Sequence, residues 1–380
     1  MLSIVADANI PLVSQAFQSI GDVVVLNAEL ITPEVCREAD VLLVRSVTPV
    51  NQALVSRSNI SFVGSATAGI DHVDQDALGQ QGIHFSHAPG SNADSVVEYV
   101  ITALIQLSTL KARPLSGLTL GIVGCGHVGG RLAQRAPALG LKILKNDPPL
   151  AQQSADEYVD LHTVLTMSDI VTFHVPKSPD TYHMITEAEL RSMKSSAWIL
   201  NTSRGDVLDN QDLKAHLSRG ELEACVLDVW ENEPTPDPEL LKRVTFATPH
   251  IAGHSVDGKL QGTMMLYHAV IEHFGLQPSW DHQQGLQKDL PSPLSIAPQS
   301  NWLSVVARHL YDLESDDARM RNILCVLEDQ MASRFRDLRR NYPPRRSFHL
   351  HTLKEVPREH LRAVRDGLQV HYLYPKERRN

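Results

Sequence analysis

The pattern of apolar and polar positions predicts many short, fully apolar strands separated by helical or turn-forming stretches. Residues 2–8 (LSIVADA), 23–27 (VVVLN), Val41–Ser46, Phe62–Thr67 and Ile83–Ser86 form a first series. Their apolar residues run consecutively instead of alternating, which predicts strands of a parallel sheet covered on both faces. Ser91 and Asp94 then stand at N-cap and N3 positions, and apolar residues at 96, 97, 100, 101, 104, 105 and 107 predict a long amphipathic helix into a second domain. A second series follows at Leu120–Val123, Lys142–Asp147, Asp169–Pro176, Ala197–Asn201, Cys225–Val229 and Val244–Thr248. From Gly275 to Ser300 the chain turns to Gln, Pro and Ser, which marks a linker. Beyond it lie helical stretches at 301–313 and 317–339 and strand-forming ones at Phe348–His351 and Leu368–Tyr374. The expected fold is α/β: two doubly wound parallel-sheet domains and a small α+β C-terminal domain.

Composition narrows this picture. A chain of 380 residues exceeds one ordinary core, and 42% hydrophobic residues suffice for several. No apolar run approaches a membrane span, and the N-terminus enters a strand without a basic, signal-like region, so a soluble cytoplasmic protein without membrane contact is expected. Cys36, Cys125, Cys225 and Cys325 are far apart and form no C-x-x-C pair, which speaks against a disulfide framework or a thiolate zinc site. The net charge of −9 argues against nucleic acid as a general partner. The charge is uneven: residues 281–380 carry 17 Lys and Arg against 13 Asp and Glu, leaving 18 against 31 before them. A basic tail of this kind serves nucleic acid, an anionic ligand or a solvated face.

The candidate chemistry begins at LGIVGCGHVGGR, residues 120–131. A strand leads into Gly124-Cys-Gly126-His-Val-Gly129, where one glycine turns the chain, the next admits a pyrophosphate to the helix start, and the third lets helix and strand pack closely. Asp147 ends the next strand 21 residues after Gly126, where a dinucleotide site needs a carboxylate for the adenosine ribose. A carboxylate repels a 2′-phosphate, and no arginine follows directly, so NAD is expected over NADP. Gly64 and Gly69 in GSATAGIDHVD permit either a ligand loop or an ordinary turn at a strand end. Three later loops carry polar residues that the fold does not require: Asn201–Asp206, Asp228–Pro234 and Thr248–Gly253. An arginine, a carboxylate and a histidine beyond strand ends on the cofactor side are the parts needed to oxidise a 2-hydroxy acid. His250 and His254 have the i, i+4 spacing of a metal pair, but Pro249 and Gly253 predict a loop and no E-x-x-H companion is present, so no metal is expected.

Over roughly residues 1–275 the sequence resembles the D-isomer-specific 2-hydroxyacid dehydrogenases. The resemblance rests on VRSVT at 44–48, TAGIDHVD at 67–74, APGSNA at 88–93 followed by VVEYV, NDPP at 146–149, SRG at 203–205, LDVWENEP at 227–234 and TPHIAGHS at 248–255. VRSVT, VVEYV, DPP and PHIAG, with YPPRR at 342–346 in a C-terminal extension, point to a narrower branch. The resemblance implies a flavodoxin-like substrate-binding lid domain (1–92 and 254–280), a Rossmann NAD-binding domain (93–253) and a C-terminal dimerisation domain (281–380). It implies Arg204, Glu233 and His250 as catalytic residues. For NAD, besides Gly124 and Gly126, it implies His127, Val128, Asp147, Val175, Thr202, Ser203, Arg204, Asp228 and Gly253. For the substrate, a small phosphorylated 2-hydroxy acid, it implies Ser46, Thr67 and position 254, and the protein would be a homodimer. Two positions depart from the branch: His254 replaces a usual tyrosine and Val175 a common threonine. Either His254 or one of Arg45 and Arg346 would hold the phosphate. The remaining alternatives are a dehydrogenase of another 2-hydroxy acid such as 3-phosphoglycerate, or a non-catalytic NAD-sensing regulator.

Overall fold

The computed structural model describes residues 1–280 and 290–373, and the chain divides into two compact units. Met1–Asn92 and the described residues between Ser255 and Leu290 form one; Ala93–His254 and the described residues from Pro291 onward form the other. The linker expected at Gly275–Ser300 lies partly outside the described residues.

In the first unit β1 (Leu2–Asp7), β2 (Gly21–Leu26), β3 (Val41–Val44), β4 (Phe62–Ser65) and β5 (His84–His87) form a parallel sheet in the order β2-β1-β3-β4-β5. The consecutive apolar residues serve two faces. Ile4, Ala6, Val41, Leu43 and Phe62 join a core with Leu266, Tyr267 and Val270 of the helix Val256–Phe274, whereas Val5, Leu42, Val44 and Val63 face the opposite layer. That helix starts on an N-cap, with the Gly258 N–H donating to the Ser255 hydroxyl at 2.9 Å, and stops at Gly275 in the left-handed conformation (φ 63°).

The second unit carries β6 (Thr119–Val123), β7 (Lys142–Asn146), β8 (Ile170–Phe173), β9 (Trp198–Asn201), β10 (Ala224–Leu227) and β11 (Phe246–Ala247), all parallel, in the order β11-β10-β9-β8-β6-β7. The order reverses between β6 and β8, and ligands of open α/β sheets bind beyond the strand ends at such a reversal. Outside β7 the chain runs alongside at Val159, whose N–H donates to the Lys145 carbonyl at 2.8 Å and whose carbonyl accepts from the Asn146 side chain at 2.8 Å.

The helix Ala93–Leu110 differs from expectation. It starts one residue after Asn92 and is buried almost all round, including Glu98, Thr102 and Gln106, which share one side by their spacing of four. It is also the one described helix apolar and long enough to cross a membrane, and 78% of that window is buried inside the protein. The C-terminal segment supplies the cover. Its helices Trp302–Leu310, Leu313–Arg321 and Glu328–Arg340 bring Trp302 and Val306 into the core of Val100, Leu104 and Leu120, and Met320 and Phe335 into that of Trp230 and Val244. The Gln106 amide donates to the Ser304 carbonyl (3.0 Å) and the Phe348 N–H to the Glu98 carboxylate (2.7 Å). That bond takes Phe348 out of any strand, so Phe348–Leu350 is a 3₁₀ turn; β12 (Thr352–Leu353) pairs in parallel with β13 (His371–Tyr372).

Arg345 closes this contact from inside. It is 6% exposed, donates to the carbonyls of Ser95 (3.2 Å) and Ala252 (2.6 Å), and stacks its guanidinium over the Tyr311 ring at 4.5 Å. Burial pushes the Glu98 carboxyl up to about 7, against the opposing pull of Arg345. Arg345→Ala would leave a buried carboxyl without the stronger of the two cations that act on it and the Ala252 carbonyl without its donor, so it is expected to cost about 3–5 kcal/mol of stability. Urea unfolding measures this; an unchanged midpoint would mean that the segment docks without Arg345.

Candidate active site

The glycine loop sits at the sheet's reversal. Gly124 has φ 86°, and a Cβ there would stand 2.6 Å from the His174 carbonyl oxygen; a Cβ on Gly129 would meet the Gly124 carbonyl oxygen at 2.0 Å. Both positions exclude a side chain. Gly126, by contrast, caps the helix His127–Arg135 with nothing within 4 Å of an added Cβ, so the first N–H groups, those of His127 and Val128, face open space. A cleft of about 1020 Å³ opens there, lined among others by Gly124, Gly126, Asp147, Tyr158 and Val175. Its size and the exposed helix start fit a dinucleotide with its pyrophosphate over Gly126. Asp147 reaches the same cleft, its carboxylate accepting from the N–H of Cys125 (2.8 Å) in the glycine loop and of Leu150 (3.1 Å).

The three polar loops follow β9, β10 and β11. In the first, the Asn201 side chain accepts from the Ser203 N–H (3.0 Å) and donates to the Arg204 carbonyl (2.8 Å), which shapes the turn Thr202–Arg204. Gly205 lies so close to the next loop that a Cβ would stand 1.9 Å from the Trp230 carbonyl carbon. The loops bearing Arg204 and Glu233 are therefore in direct contact. Glu233 accepts from the Trp230 N–H through one oxygen (2.9 Å) and meets His250 Nδ1 with the other (2.8 Å). Burial raises the Glu233 carboxyl, but the His250 imidazole, its hydrogen bond, the Trp230 N–H and the Arg339 guanidinium outweigh this and hold it below the ordinary range. Nδ1–H pointing at the carboxylate leaves Nε2 as the proton acceptor of a neutral His250.

His250 has a left-handed backbone (φ 57°), and Asp228 holds it there. The Asp228 carbonyl accepts from the His250 N–H (2.6 Å), while its carboxylate accepts from the Thr248 hydroxyl (2.6 Å) and the N–H groups of Ile251 (2.7 Å) and Ala252 (2.8 Å). Asp228, expected beside NAD, gives its carboxylate and its carbonyl to the histidine loop in this structure. Gly253 and His254 follow in the same irregular stretch, which is a turn and not a helix; the His254 ring meets Tyr342 edge-on at 5.8 Å.

Ser46 and Thr67 belong to the other unit, directly beyond β3 and β4. Ser46 is exposed, and the Thr67 hydroxyl bonds Ser65 (2.7 Å) and the Gly69 carbonyl (2.9 Å). Two residues of the second unit escape sequence reasoning. His174, at the end of β8, lies between the hydroxyls of Thr172 (3.0 Å) and Thr202 (3.3 Å), and burial pushes its imidazole down to about 3, so it works as a neutral hydrogen-bonding bridge. Its signal is a histidine closing an otherwise apolar strand. Arg339, which adds charge at Glu233, carries none. Glu187, His216 and Glu221 are close enough to share a metal, but Arg219 already binds both carboxylates.

Two parallel α/β units, one with a glycine-lined dinucleotide cleft and a histidine–carboxylate pair beside it, define a two-domain dehydrogenase. Comparison with known proteins agrees. Residues 99–252 match the family model "D-isomer specific 2-hydroxyacid dehydrogenase, NAD binding domain", and 294–366 match a domain of unknown function. The chain is 46% identical to an erythronate-4-phosphate dehydrogenase of Salinibacter ruber over 97% of its length and 98% of the relative's. It is 44% identical to the one of Pseudoalteromonas translucida, over 93% and 95%. The crystal structure of D-lactate dehydrogenase from Aquifex aeolicus, complexed with NAD and lactic acid, superposes with a TM-score of 0.60 at 23% identity, covering 72% of this chain and 96% of that one; it shows the shared fold. The chain belongs to the erythronate-4-phosphate dehydrogenase family, within the D-isomer specific 2-hydroxyacid dehydrogenases.

Proposed function

We propose that this chain oxidises 4-phospho-D-erythronate to (R)-3-hydroxy-2-oxo-4-phosphooxybutanoate with NAD, a step of pyridoxal 5′-phosphate synthesis. The carrying observation is the His250–Glu233 pair, 2.8 Å apart, in a chain so similar to the Salinibacter enzyme. When bound, NAD accepts the hydride from C2 of the substrate. His250 Nε2 takes the hydroxyl proton, and Glu233 keeps the ring oriented and stabilises the imidazolium that results. Arg204 grips the substrate carboxylate in a fork. On the cofactor, the N–H groups of His127 and Val128 face the pyrophosphate and Asp147 accepts from the ribose. Val175 packs against the dinucleotide, and Thr202, Ser203, Asp228 and Gly253 shape the nicotinamide end. Ser46, Thr67 and His254 complete the substrate contacts.

We further propose a cytoplasmic homodimer. Its four free cysteines, three of them buried, support a reducing compartment. Leu327 and Leu373, 68% and 53% exposed on the C-terminal segment, support a subunit contact there. Sedimentation velocity is expected to give the mass of two chains, and a monomer at micromolar concentration would remove the dimer.

Absorbance of NADH with 4-phospho-D-erythronate, 3-phosphoglycerate and D-lactate as separate substrates tests the reaction; preference for either of the latter would replace it. His250→Ala is expected to lower kcat by roughly two to four orders of magnitude with NAD binding little changed, because a general base acts on the reacting hydroxyl. Glu233→Gln should lower kcat and shift its pH profile, since a neutral amide no longer favours the imidazolium. Near-normal turnover of the His250 variant would sink the mechanism.

Asp147→Ala should weaken NAD and narrow its advantage over NADP, by about 1–3 kcal/mol for a lost charged hydrogen bond. The NAD-to-NADP ratio of kcat/KM reads this out, and an unchanged ratio would place the ribose elsewhere.

A further inference from the structure

In the first unit, one face of the helix Val256–Phe274 can be followed along β4 from its start to beyond its end. The Phe274 ring lies 6.5 Å from the ring of Phe62, the first residue of β4. Leu266 covers Gly64, its Cδ2 3.2 Å from where a Cβ would stand. Gly262 comes so close to the residue after β4 that its Cβ would be 3.0 Å from the Ala66 carbonyl oxygen, and the Thr263 hydroxyl donates to the Pro11 carbonyl, in the loop after β1, at 2.9 Å. Lys259 is three residues before Gly262 and four before Thr263, hence on the same face and about one turn further out. It stands over the carboxyl ends of the strands.

Arg45 arrives at the same place from the sheet. Val44 is in register with Ser65, so Arg45, the next residue, is level with Ala66, against which Gly262 packs. Ser46 and Thr67 are the neighbours of Arg45 and Ala66 in their chains. Burial, and then the like charge of Arg45, push the Lys259 ammonium down to about 8. Two cations sharing a partly desolvated site destabilise each other, and a dianion placed between them reverses the sign of that interaction. Asp7, the acid at the end of β1, is turned onto the Asn9 N–H (2.8 Å).

We propose that Arg45 and Lys259 form a phosphate-monoester seat, built entirely within the first unit, that holds the terminal phosphate of the substrate and selects for phosphorylated acids. The assignment rests on the substrate reading above. It separates Arg45 from Arg346 and His254 as phosphate ligands, and it adds a lysine that no sequence motif marks. Arg45 supplies a planar fork for two phosphate oxygens and Lys259 a point charge from the opposite side.

The test is the ratio of kcat/KM for 4-phospho-D-erythronate to that for D-erythronate, in the parent, Lys259→Met, Lys259→Arg and Arg45→Met. Loss of one charged contact is expected to lower the ratio roughly 10- to 100-fold in each methionine variant, chiefly through KM for the phosphorylated acid, with Lys259→Arg recovering most of it. A ratio that Lys259→Met leaves unchanged, or an equal loss with both acids, would overturn the seat. If the parent oxidises neither acid, the substrate reading fails by itself, and calorimetry with inorganic phosphate then decides. Binding by the parent that weakens in Lys259→Met supports the seat, and a parent that takes up no phosphate overturns it.

Discussion

The Thr248 hydroxyl and the N–H groups of Ile251 and Ala252 all converge on the buried carboxylate of Asp228, and the backbone of the same residue takes the His250 N–H. A carboxylate in so dry a place is stable only with several donors, and these donors are the loop that carries the histidine. The loop is therefore pinned at four points between Thr248 and Ala252, around a left-handed residue. The His250–Glu233 geometry follows from this, because Glu233 is itself fixed by the Trp230 N–H two residues beyond Asp228. Asp228 thus sets the distance between the His250 imidazole and the Glu233 carboxylate without touching either side chain.

A second layer of support stands behind that loop. Arg345 holds the Ala252 carbonyl from the back, while its guanidinium rests on Tyr311 and faces Glu98. The Tyr99 hydroxyl, on the same helix as Glu98, reaches the Thr248 hydroxyl at 2.7 Å. The helix Ala93–Leu110 therefore contacts the histidine loop through one residue and the C-terminal segment through its polar side. This makes the segment from Pro291 part of the dinucleotide unit's interior. Removing it would expose Trp302 and Phe348 partners throughout that core, so shortened chains report on folding before they report on subunit contact.

Much of this architecture was legible beforehand because it depends on neighbouring residues. Consecutive apolar residues in VLLV or IVTF can be buried only between two layers, which predicts parallel strands. Gly124 and Gly129 were readable for a similar reason, since a turn from strand to helix leaves no room for a Cβ whatever surrounds it. The loops bearing Arg204, Glu233 and His250 could be picked out because polar residues there serve no strand or helix. The amphipathic reading of Ala93–Leu110 differs from the structure at Glu98 and Gln106, whose polarity is matched by groups some 200 or more residues away in sequence, the Phe348 N–H and Ser304. Polar residues at helical spacing announce that something polar will face them, and water is only the commonest candidate.

By itself, then, the sequence determined the two parallel sheets, the dinucleotide turn and which loops carry polar side chains beyond the strand ends, all of which follow from sterics and chemistry within a few residues. Only the tertiary structure decided that Asp228 builds the histidine loop, that Arg339 and Arg345 of the basic tail turn inward, and that Lys259 meets Arg45 across more than two hundred residues of chain. The physical reason is common to the three. A charged side chain acquires its role from the groups that replace its lost water, and those groups are chosen by the packing of distant segments.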